Sequence, residues 1–324
     1  MELVTKKKLF VVAGRSHPEL SEEVSQHLNV PLADCVLSTF ANGEIYCRYG
    51  DSIRGGDVFV FQTHAEPIND RLMEQLIMID AAKRASAKRI TAVCPLYGYS
   101  RQDRKATGRE PITARLVADM LTAAGANRVV AVDLHTGQLQ GFFNYPVDHL
   151  TAVPVLAEYL QTLIPPDDEL VFVAPDAGGG KLARRYADKV GGDIAFIDKR
   201  RPKGTHNVAV ATEVVGEIEG RTCVIVDDII DTASTVVSAA DLLLDRGANE
   251  VLIAATHALL SGPAVDRLKN GPIKELIVTD TVPIPSEKRY DGLKVLSIAP
   301  LLAQAIDAVF EDGSVSELFG GDNV

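Results

Sequence analysis

Two adjacent aspartates, Asp227 and Asp228, stand at the end of a short apolar run in the second half of the chain. Such a run predicts a buried parallel strand whose carboxyl end opens at the ligand crevice of an α/β sheet. Small and hydroxyl-bearing residues follow and lead into a predicted helix at about 236–245. Helix N-termini bind phosphate and carboxylates accept hydrogen bonds from ribose hydroxyls, so a sugar-phosphate site is predicted. The alternative is a solvated turn with ordinary Asp and Thr caps.

A second candidate site is the loop at 97–105, which follows the apolar run at 90–94. Its Arg and Lys residues can neutralise a polyphosphate, while Gln102 and Asp103 can hydrogen-bond to a base or a ribose. The loop therefore predicts a nucleotide site. A solvated basic loop is the competing interpretation.

Candidate metal ligands follow two other predicted strands. His135 either ligates a metal or hydrogen-bonds within the fold, and its sequence position leaves both open. Asp176 precedes three glycines in a segment that fails the P-loop pattern, because Pro175 and Leu182 replace the required Gly and Ser or Thr. Hard oxygen ligands beside a polyphosphate, with no cysteine cage, indicate Mg²⁺.

The composition bounds the class of protein. The chain has 324 residues, of which 46% are hydrophobic and 24% charged, which predicts a globular protein of two domains. A formal net charge of −11 argues against nucleic acid as the main partner. No apolar run predicts a membrane span, and the four cysteines show no C-x-x-C spacing, so a cytoplasmic protein without zinc or disulfides is expected.

A helix-turn-strand unit recurs three times, with predicted strands at 90–94, 129–133 and 251–255. Alternating helices and strands predict parallel sheets with helices on both faces. Similar units in both halves indicate two related α/β domains that arose by duplication. The predicted domains are 1–150 and 151–304, with a tail at 305–324 that returns to the first domain.

These motifs together resemble a known family. The string at 227–235 resembles the ribose-5-phosphate loop of the phosphoribosyltransferase-like superfamily, and nearly the whole chain resembles the bacterial class I ribose-phosphate pyrophosphokinases. The resemblance implies an α/β fold of two tandem phosphoribosyltransferase-like domains. It is carried by residues 40–44, 69–74, 101–103, 109–114, 133–135, 140–143, 198–201, 227–235 and 261–264.

The family transfers the β,γ-diphosphoryl group of Mg-ATP to ribose 5-phosphate, releases AMP and supplies nucleotide, histidine and tryptophan biosynthesis. The resemblance implies that His135 and Asp176 organise Mg²⁺, and that Lys199 and Arg201 act catalytically on a mobile loop. Ribose 5-phosphate would be held by Asp227, Asp228, Asp231, Thr232, Ala233, Ser234 and Thr235. ATP would be held by Phe40, Asn42, Glu44, Arg101, Gln102, Asp103 and His135, with Phe40 and Glu44 reaching adenine from a neighbouring subunit.

The resemblance also implies regulation and assembly. Phosphate is the expected activator, ADP the expected inhibitor, and a homohexamer the expected assembly. The matching regulatory positions are Ser52, Arg54, Lys105, Arg109, Ser314, Val315 and Ser316.

One position in the sugar-phosphate string departs from the family, because Ser234 stands where Gly is usual. A left-handed backbone there would cost about 1–2 kcal/mol, whereas in any other conformation the hydroxyl can add a phosphate contact. Three rival functions share part of the pattern: a phosphoribosyltransferase, a non-catalytic regulator, and a kinase that transfers only the γ-phosphoryl group. The likeness of the first half to an ATP site disfavours the first rival, and retention of Lys199 and Asp176 disfavours the second.

Overall fold

The computed structural model describes residues 7–163, 169–200 and 210–320. The chain forms two compact units. The first takes in Met1–Thr151, Thr281–Pro283 and Ser297–Val324, and the second takes in Ala152–Asp280 and Ile284–Leu296. The predicted boundary at 150 lies one residue from this division. The returning C-terminal segment is longer than predicted, since it begins at Ser297 instead of 305.

The first unit is built on a five-stranded parallel sheet with the strand order β1-β4-β5-β6-β7. Strands β2 and β3 pair with each other as a separate antiparallel ribbon. In chain order the elements are β1 (Leu9–Ala13), α1 (Pro18–Leu28), β2 (Cys35–Thr39), β3 (Ile45–Tyr49), β4 (Asp57–Phe61), α2 (Ile68–Arg84), β5 (Arg89–Cys94), α3 (Thr113–Ala124), β6 (Arg128–Val132) and β7 (Val147–Leu150).

The second unit is built on a seven-stranded sheet with the order β10-β9-β8-β11-β12-β13-β14. Neighbouring strands are parallel except β9 and β10. Its elements are α4 (Val153–Leu163), β8 (Leu170–Ala174), α5 (Gly180–Val190), β9 (Asp193–Arg200), β10 (Val210–Val215), β11 (Thr222–Ile230), α6 (Ser234–Asp245), β12 (Glu250–Ala258), α7 (Ala264–Asn270), β13 (Glu275–Thr279) and β14 (Leu293–Leu296).

The central strands of both sheets are mostly apolar, as strands with both faces covered must be. Every residue of β4 and of β8 is buried, as expected for interior parallel strands. The mainly parallel α/β class predicted from the sequence is therefore confirmed. Among the described helices, none is long and apolar enough to cross a membrane.

The returning segment joins the first unit through helix α8 (Ala299–Phe310), which packs on α1. The Ser297 hydroxyl donates to Glu23 Oε1 at 2.8 Å just before this helix. Beyond the helix, Asp312 pairs with Lys7 and with Arg89. These contacts begin ahead of the predicted start of the tail, which explains why the segment is longer than expected.

The three recurring helix-strand turns each contain a residue with positive φ. Each helix is followed by a residue with positive φ: Ser86 (65°), Gly125 (124°) and Gly247 (89°). Glycine adopts this conformation at little cost, so it suits two of the three turns. The turn in each case feeds a strand that leads to one of the polar loops described below.

Candidate functional site

The acid pair of the second unit lies at a reversal of strand order. Chain order runs from β8 to β9 and β10 on one side and from β11 to β14 on the other. Ligands of open α/β sheets bind beyond the carboxyl ends of strands at such a switch point. Asp176 follows β8, and Asp227 and Asp228 lie near the end of the adjacent β11. Carboxylates from two neighbouring strands thus share one edge of the sheet.

Strand β11 does not end at the acid pair, as predicted, but continues to Ile230. Its pairing with β8 stops at Ile225, whereas its pairing with β12 continues through Ile229 and Ile230. The acids therefore lie on a strand that is held on one side and open on the other. This one-sided support holds the backbone while leaving the acid pair at the crevice.

Electrostatic repulsion is built into this edge. Burial, together with the charge and hydrogen bond of Asp228, raises the pKa of Asp227 well above its usual range. The charge of Asp176 raises it further, while the Asp228 N–H, which donates to Asp227 Oδ1 at 2.9 Å, opposes the effect. The acid pair therefore favours either a retained proton or a bound cation.

Asp176 caps the short 3₁₀ helix Ala177–Gly179. Its Oδ1 accepts hydrogen bonds from the N–H groups of Gly178 at 2.9 Å and Gly179 at 3.3 Å. Within residues 7–163, 169–200 and 210–320, no group of three or more His, Cys, Asp or Glu side chains is gathered to hold a metal. Mg²⁺ fits this pattern, because it usually takes one or two carboxylates and completes its shell with water and substrate phosphates.

Helix α6 begins at Ser234, two residues earlier than predicted, and no side chain caps its first turn. The left-handed residue is Ala233, with φ 59° and ψ 2°, not Ser234. The strain considered for Ser234 is therefore absent, because this residue already has a place in the helix. Its hydroxyl lies 3.4 Å from that of Thr232, so two hydroxyls flank the open N-terminus. Phosphate is the ligand that this arrangement favours.

Residues that follow β12 hydrogen-bond to the backbone of the turn between β11 and α6. The Ser261 N–H donates to the Asp231 carbonyl at 2.9 Å, and Arg267 Nη1 donates to the Thr232 carbonyl at 2.9 Å. Arg267 is a positioning residue that the sequence did not reveal. A basic residue three positions after the motif at 261–264 was the only available signal.

In the first unit, the predicted nucleotide loop is tied to its neighbours. Gln102 Oε1 accepts from the Thr113 hydroxyl at 2.6 Å, so this amide already has a partner at the start of α3. Asp103 Oδ2 accepts from the Thr136 hydroxyl at 2.9 Å, which joins the loops after β5 and β6. Arg101 and His135, from these same two loops, have exposed side chains. Exposure of His135 leaves its predicted role as a metal ligand possible and argues against a core role.

A buried histidine, missed in the sequence, holds the start of the nucleotide loop. His64 Nδ1 accepts from the Gly98 N–H at 2.8 Å, so Nε2 carries the proton and donates to Gln75 Oε1 at 2.8 Å. A Cβ at Gly98 would lie 2.9 Å from the Cβ of His64, so glycine permits this close approach. The only signal was a polar residue just past a buried strand.

The buried state of His64 predicts a pH-dependent stability. Burial lowers its pKa from 6.5 to about 4, so the unfolded chain binds the extra proton between these values. The contribution of neutral His64 to the free energy of unfolding is therefore fully present above pH 6.5. It is lost as the pH falls toward 4, and the total loss is about 3 kcal/mol. We expect His64→Asn, which keeps an acceptor near Gly98, to remove this dependence.

The measurement is the urea midpoint of unfolding for both proteins from pH 7.5 to pH 4.5. As the pH falls, the urea midpoint of the wild type should decrease relative to that of the variant. Comparing the two proteins cancels the opposing contribution of Asp227, whose pKa is raised. Parallel curves for the two proteins would contradict the neutral, buried assignment of His64.

The turn between β2 and β3 carries the residues predicted to contact adenine. The Phe40 side chain is 55% exposed, and its ring meets that of Tyr46 edge to face at 6.0 Å. The Glu44 N–H donates to Asn42 Oδ1 at 3.2 Å, and the Phe40 N–H donates to the Glu44 carbonyl at 2.8 Å. A turn braced by its own bonds thus presents an aromatic face outward.

The predicted regulatory positions all belong to the first unit. Glu110 organises the loop before α3, because its carboxylate accepts from the N–H groups of Ala106 and Thr107, and these bonds lower its pKa. Arg109 is exposed with φ 71°. In the returning segment the hydroxyls of Ser314 and Ser316 lie 2.9 Å apart. Ser52, Arg54 and Lys105 are exposed, and Val315 is half-buried.

Several predicted features fall outside the described part of the structure. Lys199 lies in β9, opposite Ala211 of β10, but its side chain is outside the description. Arg201, the predicted mobile loop at 204–208 and the turn at 164–168 also lie outside the described residues.

Comparisons with known proteins cover nearly the whole chain. A family model described as the N-terminal domain of ribose phosphate pyrophosphokinase matches residues 9–125. Another, described as the phosphoribosyl synthetase-associated domain, matches residues 198–320. A ribose-phosphate pyrophosphokinase of Bifidobacterium longum is 57% identical over 97% of this chain and 93% of its own length.

A relative of the same name from Caldanaerobacter subterraneus is 54% identical over 96% of this chain and 98% of its own length. Among solved structures, phosphoribosylpyrophosphate synthetase from Mycobacterium smegmatis is similar with a TM-score of 0.89 and 51% identity. The match covers 95% of this chain and 100% of that one. Similarity of this extent includes both units and every loop described above.

Proposed function

Because the chain belongs to the ribose-phosphate pyrophosphokinase family, we propose that it makes 5-phosphoribosyl 1-pyrophosphate and AMP from ATP and ribose 5-phosphate. The observation that carries this assignment is the acid pair Asp227 and Asp228 beside the uncapped N-terminus of α6. A ligand with adjacent hydroxyls at one end and a phosphate at the other complements both features. Ribose 5-phosphate has that chemistry.

In this proposal the 5-phosphate accepts hydrogen bonds from the first turn of α6, with Thr232, Ser234 and Thr235 adding hydroxyl donors. Asp227 and Asp228 accept bonds from the ribose hydroxyls. Braces from Ser261 and Arg267 to the turn support the idea, because a preorganised site loses less entropy on binding. Asp231 completes the turn through its backbone.

ATP is proposed to lie along the loops after β5 and β6, with Arg101, Asp103 and His135 near its phosphates and ribose. The exposed ring of Phe40, with Asn42 and Glu44, would contact adenine from a neighbouring subunit of a homohexamer. Gln102 can join by donating from its amide Nε2 while its Oε1 keeps the bond from the Thr113 hydroxyl.

Mg²⁺ when bound neutralises phosphate charge; Asp176 is proposed to help hold it in the second unit, and His135 is proposed as a ligand in the first. The raised pKa of Asp227 supports a cation at the edge of the second sheet, because a positive charge relieves the repulsion among Asp176, Asp227 and Asp228. The proposed reaction joins the anomeric hydroxyl of ribose 5-phosphate to the β-phosphorus of ATP. Lys199 and Arg201 would stabilise charge on the transferring diphosphoryl group and exclude water.

Phosphorus NMR on a mixture of ATP, ribose 5-phosphate and Mg²⁺ tests the assignment. AMP together with a new diphosphate signal on a sugar is the expected result. ADP with a singly phosphorylated product would indicate a γ-phosphoryl kinase, and an unchanged spectrum would indicate a non-catalytic regulator. A spectrum that changes only when 5-phosphoribosyl 1-pyrophosphate and a nucleobase are added, with release of pyrophosphate, would indicate a phosphoribosyltransferase.

Regulation by phosphate is proposed to involve Arg109 and its neighbours in the first unit, with ADP competing for the same site. We expect Arg109→Ala to flatten the phosphate activation curve while the activity without phosphate stays within about twofold, because the loss of one charged contact is local. Alanine retains the φ of 71° at a cost similar to that of arginine, so backbone conformation is matched.

The measurement is initial rate against phosphate concentration, with Arg109→Lys as the charge-retaining control. The lysine variant should keep part of the activation. A normal activation curve for the alanine variant would remove Arg109 from the proposed regulatory site.

A further inference from the structure

Two cysteines of the β2–β3 ribbon lie next to each other. Cys35 Sγ of β2 and Cys47 Sγ of β3 are 3.6 Å apart. Cys35 pairs with Tyr49 and Cys47 pairs with Leu37 in the ribbon, so the two thiols are diagonal neighbours on one face. Both thiols are half-buried, and neither is part of the proposed catalytic machinery.

The surroundings of this pair differ from those of the other two cysteines. Cys94 and Cys223 are fully buried in central strands, and burial raises their pKa values to about 12 and about 11. Reactive cysteines are partly exposed and have a neighbour that stabilises the thiolate, whereas buried ones are inert. Only Cys35 and Cys47 combine partial exposure with a second thiol at contact distance.

The ribbon can accommodate a covalent link. Its strands pair only with each other and not with the five-stranded sheet. A disulfide needs sulfur atoms about 2.05 Å apart, so the two must approach by roughly 1.5 Å. Diagonal neighbours in a ribbon are ordinarily about 7–8 Å apart, so closure also needs a small shift of the two strands, which the ribbon can make without disturbing the central sheet. The Tyr49 hydroxyl, which donates to the Met78 carbonyl at 2.9 Å, keeps the ribbon against α2 meanwhile.

We propose that Cys35 and Cys47 form a dithiol site that exchanges with small-molecule disulfides and closes to an intramolecular disulfide. In the first step the Cys47 thiolate attacks one sulfur of the small disulfide, and the other sulfur leaves as a thiolate that takes up a proton. In the second step Cys35 loses its proton and attacks Cys47 Sγ, releasing the second small thiol. Two protein thiols are thus oxidised while one small disulfide is reduced to two thiols.

The order of attack follows from the hydrogen bond between the thiols. Either thiol can donate in this contact, but the charge of Asp34 disfavours a thiolate at Cys35. The shared hydrogen bond, burial and this charge raise the pKa of Cys35, while the same bond lowers the pKa of Cys47. Cys47 is therefore the nucleophile and Cys35 the resolving thiol. Resolution is favoured because Cys35 already lies in contact with the sulfur it must attack.

The test treats the full-length protein with oxidised glutathione, blocks remaining thiols with an alkylating reagent, and measures intact mass and peptide maps. We expect the loss of two hydrogen atoms, protection of Cys35 and Cys47 alone when the protein is unfolded before alkylation, and full reversal by dithiothreitol. Cys94 and Cys223 should react with the alkylating reagent only after unfolding, which provides an internal control.

Single variants separate the two roles. Cys35→Ser should trap one glutathione on Cys47 as a lasting mixed disulfide, whereas Cys47→Ser should react much more slowly. A wild-type protein that retains all four thiols, that holds a persistent glutathione adduct, or that forms only disulfides between chains would overturn the proposal. The wild-type measurement decides the matter even if a variant fails to fold.

Discussion

Asp228→Asn should lower kcat/KM for ribose 5-phosphate by roughly 10²- to 10³-fold, because a hydrogen bond to a charged group contributes about 1.5–3 kcal/mol and the ribose offers two hydroxyls. Asp227 Oδ1 already accepts the Asp228 N–H at 2.9 Å, so Asp228 is chosen for the substitution in the proposed site. Steady-state rates at varied ribose 5-phosphate and saturating ATP measure the effect.

The same variant has a readout that needs no turnover. Removing the Asp228 charge removes one cause of the raised pKa of Asp227, so that pKa should fall in the variant. Carboxyl-carbon NMR titration of Asp227 measures this directly. Asp241→Asn, on an exposed position of α6, is the matched control and should leave both kinetics and titration unchanged. A normal KM for ribose 5-phosphate in Asp228→Asn would exclude the proposed sugar contact.

Lys199→Ala should lower kcat by about 10²- to 10³-fold with little change in either KM, since a cation that acts on the transferring group stabilises the transition state more than the bound substrates. Lys199 is the second-to-last residue of β9. The KM values report substrate binding only if the chemical step is slow, so substrate affinities should also be measured by calorimetry.

Two controls bracket this expectation. Lys189→Ala removes an exposed lysine from the last turn of α5 and should leave kcat unchanged. Lys199→Arg retains the charge and should recover part of the rate. A Lys199→Ala enzyme with normal kcat, or with weakened binding alone, would assign the residue to substrate capture instead of transition-state stabilisation.

The sequence predicted the bounds of a helix or strand only where residues close to it in the chain determine them. The apolar run before Asp227 correctly indicated a buried parallel strand, and the strand predicted at 90–94 differs from the observed Arg89–Cys94 by one residue. The predicted end of β11 was wrong because the last residues of this strand pair with β12, which lies about 30 residues further along the chain. The C-terminal segment predicted to return to the first unit was too short for a similar reason. Ser297, which precedes the predicted start, donates a hydrogen bond to Glu23 of α1.

The functional side chains show the same division. Residue type and position indicated that Gln102 belongs to a polar loop at a sheet edge, but not that Thr113 engages its amide. The sequence raised Ser234 as the position of possible strain, and the structure transferred that conformation to Ala233. The position of His64 just past a buried strand did not reveal its role, because that role depends on Gly98 of the loop after the next strand of the sheet.

The sequence by itself determined the α/β class, the family and the string of acids and hydroxyls, because these depend on periodicity and on residues adjacent in the chain. Only the tertiary structure decided that Asp176 raises the pKa of Asp227, and that Cys35 meets Cys47. Both facts depend on which strands become neighbours and in which register they pair. Strand pairing is set by burial summed over a whole sheet, so no window of sequence around either residue contains it.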